Sequence, residues 1–457
     1  MKTVLISTYE LGHQPFGLAS PAAWLREGGM EVTCLDLSRE PLAENAVRAA
    51  DLIAFHVPMH TATRLAVALL PAIRELNSQA HLCFYGLYAP VNEAYLRRLG
   101  VQTILGGEFE AGLASLARRL GADEANGSQS EPVISLARLQ FRAPDRNGLV
   151  PLEKYSRLTM PGGATRTVGY TEASRGCKHL CRHCPIVPVY NGVFRIVDRE
   201  VVLGDIRRQV AAGAQHITFG DPDFFNGIGH ALPLVEALHG EFPQLTYDVT
   251  IKIEHLLKHR DCLGKLRDTG CLFVTSAVES VDDAVLEKLD KNHTRSDFLR
   301  TIGLFRELRL TLQPTFVAFT PWTTLESYCE MLNLIREHDL VKNVAPIQFA
   351  IRLLIPAGSR LLELPDIAAM TGDFDEAALV YPWKHPDARV DLLCEELQEI
   401  VHAGEKMNRG RARVFERITQ AAYSAAGREN EAKMQSGALA ILAARATLPY
   451  LNEPWYC

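Results

Sequence analysis

The sequence predicts an α/β protein in which an N-terminal doubly wound parallel sheet is followed by a partial (βα)6 TIM-like barrel and a mainly helical C-terminal region. Short apolar segments alternate with amphipathic segments in two separate runs, which is typical of parallel sheets covered by helices. The last part of the chain shows only helical patterns. The predicted regions are 1–120 for the first sheet, 121–165 for a polar linker, 166–358 for the barrel and 359–457 for the helical region.

The composition of the 457 residues is that of a globular protein, with 47% hydrophobic and 22% charged residues. The net charge of −6 argues against extensive binding to nucleic acid. No uncharged apolar run approaches the ~20 residues that cross a bilayer, and the N-terminus lacks the pattern of a signal peptide. We therefore expect a cytoplasmic protein with neither a membrane nor a nucleic acid as partner.

The first region contains five apolar, β-rich segments separated by amphipathic ones, so its strands are expected to run parallel. A doubly wound sheet binds its ligands at the carboxyl ends of the strands. The predicted strands are 2–8, 31–37, 51–57, 81–86 and 102–107, and the loops that follow them include 10–17, 57–61, 86–90 and 106–110.

The second run of alternating segments predicts six strand–helix units. In a (βα) barrel the chemistry lies on the loops at the carboxyl ends of the strands. Asp198 is expected to cap the first long helix of this region. The strands are predicted at 166–173, 216–221, 245–252, 271–278, 311–319 and 346–353, and C-terminal helices at 375–383, 388–407, 411–426 and 429–446.

A cluster of three cysteines follows the first predicted barrel strand. Cys177, Cys181 and Cys184 have the spacing C-x3-C-x2-C, which can direct three thiolates to one metal centre. A [4Fe–4S] cluster ordinarily takes four cysteine ligands, so three would leave one iron open for a substrate. A zinc site that uses His179 or His183 is the main alternative, although structural zinc sites usually employ a second ligand pair that the sequence lacks.

On this motif and the strands around it, residues 166–358 resemble the radical SAM superfamily. The resemblance implies a [4Fe–4S] cluster ligated by the three cysteines, with S-adenosylmethionine (SAM) bound at the open iron. Gly220-Asp221-Pro222 stands where the family has a Gly-Gly-Glu-like turn that receives the amino group of SAM, which implies that role for Asp221 or for backbone carbonyls. Glu279 is implied to contact the ribose and is a candidate catalytic residue. A surface carboxylate that caps the next helix is the alternative.

The N-terminal region resembles the cobalamin-binding domain of cobalamin-dependent radical SAM enzymes, on the segment ILGGEFEAGLASLA at 104–117. The cobalt-ligating Asp-x-His-x-x-Gly motif is absent, because the first loop has Glu10, His13 and Gly17 at a different spacing. Cobalamin is implied as a further cofactor between two facing rims, and a sheet that has lost it is the alternative. Its contacts would come from His13, Gly17, Met59, Gly86, Tyr88, Gly106 and Gly107.

The final segment, Glu453-Pro-Trp-Tyr-Cys457, resembles the start of the tail in radical SAM proteins named for a CCAEP or CUAEP terminus. A selenocysteine codon read as a stop, a natural end and a trimmed chain are three open interpretations. Cys457 is a candidate catalytic thiolate, since a terminal thiolate can bind a soft element or relay electrons.

These resemblances imply an enzyme that reductively cleaves SAM and transfers an alkyl group, methyl by way of cobalamin, to a small-molecule or peptide substrate. One alternative is transfer of the 3-amino-3-carboxypropyl group of SAM to a soft element such as trivalent arsenic. Another is a SAM- or corrinoid-binding sensor without catalysis. An electron donor such as flavodoxin or ferredoxin is the expected protein partner. Asp223, Trp322 and Arg352 are expected near the barrel mouth, where ordinary structural roles would also explain them.

Overall fold

The computed structural model describes residues 1–122, 131–430 and 448–451 of the chain. Within these residues two large sheets, both mainly parallel, follow one another along the sequence. The predicted α/β fold class is confirmed. Among the described residues no helix is both long and apolar enough to cross a bilayer.

The described N-terminal sheet contains β1 Lys2–Ser7, β2 Glu31–Asp36, β3 Leu52–His56, β4 His81–Tyr85, β5 Thr103–Gly107 and β6 Ile134–Ser135. The strand order is β2-β1-β3-β4-β5-β6, and each of these pairs is parallel. Separate apolar clusters fill the two faces, as a doubly wound sheet requires. The helices are α1 Phe16–Glu27, α2 Glu44–Arg48, α3 His60–Leu76, α4 Tyr88–Val91, α5 Glu93–Arg98 and α6 Phe109–Gly121.

The strands that follow are β7 Arg157–Thr159, β8 Thr165–Thr171, β9 Ser174–Gly176, β10 Phe194–Ile196, β11 His216–Phe219, β12 Thr246–Thr250, β13 Cys271–Glu279, β14 Thr311–Phe316 and β15 Tyr450–Leu451. The barrel sheet has the order β14-β13-β12-β11-β8-β7-β15. Its strands from β8 to β14 are parallel, while β7 and β15 extend the edge antiparallel. A separate antiparallel pair, β9 and β10, frames the cysteine loop.

Helices cover the outside of the barrel sheet, and the largest apolar cluster joins them to the C-terminal helices. Asp198 caps the first long one, as predicted, by accepting a hydrogen bond from the Glu200 amide at 2.9 Å. The helices are α7 Val187–Tyr190, α8 Arg199–Ala211, α9 Ile228–Glu241, α10 Ile253–Lys258, α11 Leu263–Asp268, α12 Asp283–Leu289, α13 Arg295–Leu308, α14 Leu325–Glu337, α15 Pro365–Met370, α16 Ala388–Lys406 and α17 Arg411–Ala425. Short 3-10 helices lie at Leu152–Lys154, Phe224–Gly227, Arg260–Cys262, Pro346–Phe349 and Arg360–Glu363.

Two predicted elements differ from the structure. The sixth barrel strand is reduced to a bridge between Arg352 and Phe319, because the segment begins as a 3-10 helix at Pro346. The predicted helix at 375–383 is wrong. The Asp375 carboxylate accepts the amide hydrogens two and three residues on, and this local bonding competes with a helix. The predicted helix at 429–446 lies almost entirely outside the described residues.

Candidate functional site

The three cysteines of the C-x3-C-x2-C motif lie in the loop between β9 and α7, at the carboxyl end of the first parallel barrel strand. Cys177 and Cys181 are buried and Cys184 is half-buried. Gly176 turns the chain into the loop with φ +72°, where a Cβ would lie 2.4 Å from the Tyr190 ring. Burial raises the pKa of the Cys184 thiol to about 12, so a metal would have to displace its proton. The thiols fit a three-ligand cluster site.

Two lysines approach the cysteine loop from the barrel. Lys252, just after β12, donates from Nζ to the Cys181 sulfur at 3.5 Å. Lys291 is buried on the Cys181 and Cys184 side, and although burial lowers its pKa, the neighbouring Glu279 carboxylate raises it overall. The Lys291 ammonium therefore stays charged, and the two lysine side chains stabilise negative charge on the sulfurs. Sequence analysis missed both lysines, since isolated lysines carry no pattern.

Glu279 lies at the end of β13 and connects the barrel to the cysteine loop. Its Oε1 accepts from Lys291 Nζ at 3.2 Å and contacts His183 Nε2 at 3.1 Å. Burial would raise its pKa, but the Lys291 charge and the contact with His183 lower the pKa to about 2. Glu279 is buried and Asp282 caps the following helix, so the alternative of a surface capping carboxylate is wrong. Ribose contact stays a prediction.

The Gly220-Asp221-Pro222 turn follows β11 beside the cysteine loop. The Asp221 carboxylate accepts from the Ala173 amide at 3.0 Å and from the Ser174 hydroxyl at 2.5 Å. Burial raises its pKa to about 7. A Cβ at Gly220 would lie 1.8 Å from the Tyr170 hydroxyl, so close packing requires the glycine. Asp221 thus fixes the start of β9, the strand before the cysteines. A contact with the SAM amino group stays a prediction, with the backbone carbonyls of the turn as the other acceptors.

The rims of the two sheets contact each other, as predicted, and Arg175 lies at the centre of the contact. Its guanidinium is 2.7 Å from Glu110 Oε1 of α6 and 2.7 Å from Glu172 Oε2 before β9. Glu108 Oε2 is 3.5 Å away, and burial raises the pKa of Glu108 to about 7. The rings of Phe16, Phe109 and Phe141 surround the guanidinium. Sequence analysis missed Arg175, although it lies only two residues before Cys177.

The glycines predicted to contact cobalamin are covered by protein atoms in this structure. A Cβ at Gly17 would lie 2.0 Å from the His56 ring, and a Cβ at Gly86 3.1 Å from the same ring. A Cβ at Gly106 would lie 2.4 Å from the Pro90 side chain. A Cβ at Gly107 would lie 2.2 Å from the carbonyl oxygen of residue 135 in β6. These contacts explain why glycine is needed at these four positions, and contact with a corrinoid stays a prediction.

The remaining predicted contacts are placed as follows. His13 is buried, with its ring 4.8 Å from that of Tyr170 in the barrel. Met59 precedes α3 and is half-buried, and Tyr88 begins α4 and is buried. Cys457 lies outside the described residues. Trp322 donates to Asp366 at 2.7 Å, and Arg352 pairs with Asp391 at 2.7 Å, so structural contacts occupy both side chains.

Comparison with known proteins supports the interpretation of the cysteine loop. Residues 171–335 match the family model described as the radical SAM superfamily. The hopanoid C-3 methylase of Methylococcus capsulatus is 26% identical over 330 residues, which cover 66% of this chain and 61% of the methylase. A tRNA-2-methylthio-N(6)-dimethylallyladenosine synthase of Pelodictyon phaeoclathratiforme is 27% identical over 30% of this chain and 33% of the synthase. The chain thus spans less than two thirds of the length of these relatives.

Solved structures share the fold of both halves of the chain. The cobalamin-dependent S-adenosylmethionine radical enzyme OxsB, with aqua-cobalamin bound, superposes with a TM-score of 0.70 at 14% identity over 88% of this chain and 67% of OxsB. The radical S-adenosylmethionine methyltransferase TsrM from Kitasatospora setae superposes with a TM-score of 0.61 at 18% identity, over 81% of this chain and 77% of TsrM. At such identities the likeness concerns the fold. With the family match and the three-cysteine loop, it establishes that the chain contains a radical SAM domain at 171–335.

Proposed function

We propose that this chain reductively cleaves SAM at a [4Fe–4S] cluster held by Cys177, Cys181 and Cys184, and transfers an alkyl group from it to a small-molecule or peptide substrate. The observation that supports this most is the grouping of three thiols with Lys252 and Lys291 at the barrel rim. When bound, the cluster would supply one electron and an open iron site for SAM. Flavodoxin or ferredoxin is the proposed electron donor.

The protein's own residues contribute charge, burial and fixed geometry. The lysines stabilise the anionic sulfurs, and burial of Cys177 and Cys181 keeps water from them. Glu279 stays ionised and holds His183, the residue before Cys184, at 3.1 Å. This contact fixes the position of His183 in the loop, which is the form of preorganisation that catalysis requires.

The route of alkyl transfer depends on whether a corrinoid takes part. The relatives favour methyl transfer, since a methylase, a methyltransferase and a cobalamin-bound enzyme are among them. The doubly wound N-terminal sheet of this chain agrees with that route, since OxsB, which shares the fold, has aqua-cobalamin bound. We therefore propose methyl transfer by way of cobalamin. Direct passage of the 3-amino-3-carboxypropyl fragment from SAM to an acceptor such as trivalent arsenic is the alternative.

The products distinguish these routes. The chain is reconstituted anaerobically and incubated with SAM and dithionite, with and without hydroxocobalamin, in the presence of arsenite or a peptide pool. Methylthioadenosine identified by mass spectrometry supports direct transfer. 5′-Deoxyadenosine together with S-adenosylhomocysteine, and corrin absorbance that survives desalting, would identify the cobalamin route. A chain that binds SAM but yields no product under reductant is a sensor, which contradicts the proposed catalysis.

A matched pair of cysteine variants tests the cluster assignment. Cys184→Ser is expected to lose the iron–sulfur absorbance and all SAM cleavage, because the cluster loses one of three thiolate ligands. Cys262→Ser is the control, since Cys262 is a half-buried free cysteine in a 3-10 helix outside the loop. Equal activity of the two variants would refute the assignment.

A further inference from the structure

A second group of metal-binding side chains lies directly beside the cysteine loop. His179 comes from the loop itself, Asp223 from the segment after β11, and His255 from α10. One donor atom of each lies within 4.8 Å of the other two. The side chains of Asp223, His255 and His179 are 0%, 9% and 10% exposed. Three separate elements of the barrel thus direct polar atoms to one buried point.

The converging atoms have no other hydrogen-bond partners among the described residues. Asp223 Oδ1 accepts from the Phe225 amide at 3.1 Å, which leaves Oδ2 to face the histidines. Oδ2 lies 2.7 Å from His255 Nδ1 and 3.4 Å from His179 Nε2. None of these three buried atoms makes a hydrogen bond of acceptable geometry. Because unsatisfied buried polar atoms are costly, such a group calls for a ligand.

We propose that His179, Asp223 and His255 bind one divalent transition-metal ion, of the Zn²⁺ or Fe²⁺ class, separate from the iron–sulfur cluster. Two imidazoles and one carboxylate are a common donor set for these ions. Donors at about 2.0–2.2 Å from a tetrahedral ion lie roughly 3.3 Å apart. The separations of 2.7 and 3.4 Å bracket that value, so small side-chain rotations complete the site.

Glu254 lies where it could support such a site from outside. Its Oε2 lies 3.6 Å from His179 Nδ1, on the far side of the ring from Asp223. Metal-bound histidines usually donate their second N–H to a carboxylate, which fixes the tautomer and the ring orientation. Glu254 is therefore a positioning residue, and it leaves Nε2 of His179 free for the ion.

The position of the site indicates what a bound ion would do to the cysteine loop. His179 lies between Cys177 and Cys181, so an ion shared with Asp223 and His255 ties the cysteine loop to the segments after β11 and β12. The thiols form a soft donor set and the histidine–carboxylate group a harder one, so the two sites select different ions. Three protein ligands leave a fourth position for water or another small ligand.

Metal analysis of the reconstituted full-length chain tests the proposal. After equilibration with Zn²⁺ and desalting, the chain is expected to retain about four irons and one zinc. His255→Gln and Asp223→Asn should lose the zinc and keep the irons. Glu254→Gln should weaken zinc binding about 10- to 100-fold. His259→Gln, at the end of the same helix and 5.8 Å ring to ring from His255, is the matched control and should keep the zinc.

X-ray absorption at the zinc edge identifies the ligands independently of any variant. Nitrogen and oxygen neighbours near 2.0–2.1 Å are expected, whereas sulfur near 2.3 Å would place the zinc on the cysteine loop and overturn the proposal. Failure of the wild-type chain to retain zinc, or retention by His255→Gln equal to wild type, would also overturn it. Circular dichroism shows whether each variant has folded. If no variant folds, the X-ray absorption spectrum of the wild-type chain alone tests the proposal.

Discussion

The two rims that face each other in this molecule share an architecture but differ in what they present. The barrel rim groups three thiols, two lysines and Glu279 around one loop. The N-terminal rim has glycines where a ligand is expected, and neighbouring protein atoms lie where their Cβ atoms would be. Parallel strands place loops at the carboxyl edge in both cases. The fold therefore sets only where a site can form, and a site forms where polar groups converge on accessible surface.

Arg175 links the two rims, so its replacement should have the largest effect on stability. Replacement by Met leaves Glu110 and Glu172 buried without their cation, so we expect the free energy of unfolding to fall by about 3–5 kcal/mol. Guanidinium denaturation measures the loss. Arg207→Met is the matched control, because Arg207 pairs with Glu241 on the surface, where the loss of an ion pair changes stability little. Equal losses would show that Arg175 does not hold the rims together.

Asp221 makes the stability of the chain depend on pH, and replacement of Asp221 should remove this dependence. Its folded pKa of about 7 lies above its value in an unfolded chain, so between about pH 4 and 7 the native state binds more protons. Stability therefore falls as the pH rises through this window and levels off above it. In Asp221→Asn the slope between pH 5 and 7 should flatten by on the order of 1 kcal/mol per pH unit. An unchanged slope would contradict the raised pKa.

Gly106 tests whether the N-terminal rim is closed. An added Cβ would lie 2.4 Å from Pro90, so Gly106→Ala should destabilise the chain by about 1–3 kcal/mol. Gly303→Ala is the control, because Gly303 lies in α13 with open space at its Cβ and should gain about 0.5–1 kcal/mol. Thermal unfolding measures both variants. A neutral Gly106→Ala would indicate that Pro90 moves aside easily.

The two rims also differ in how much of them the sequence reveals. The alternation of strands and helices, the Asp198 cap and the cysteine loop follow from local spacing, which is set by backbone geometry. Two partners of Arg175 come from positions 108 and 110, and those of Cys181 from 252 and 291, so no local pattern connects them. The atoms that pack against Gly106 and Gly107 come from Pro90 and from residue 135 in β6, which lie far from these glycines in the sequence.

Lys252 is the barrel-rim residue whose replacement should have the smallest effect, a shift in the reduction potential of a bound cluster. Its ammonium donates to the Cys181 sulfur at 3.5 Å and favours the more negative, reduced form of a bound cluster. Lys252→Met should therefore lower the reduction potential by about 40–90 mV, which corresponds to about 1–2 kcal/mol for one electron. Lys258→Met, at the exposed end of α10, is the matched control and should leave the potential unchanged. Redox titration monitored by electron paramagnetic resonance measures both. A potential that does not move in Lys252→Met would mean that the lysine serves packing alone, and that the charge at this rim comes from Lys291 and Glu279.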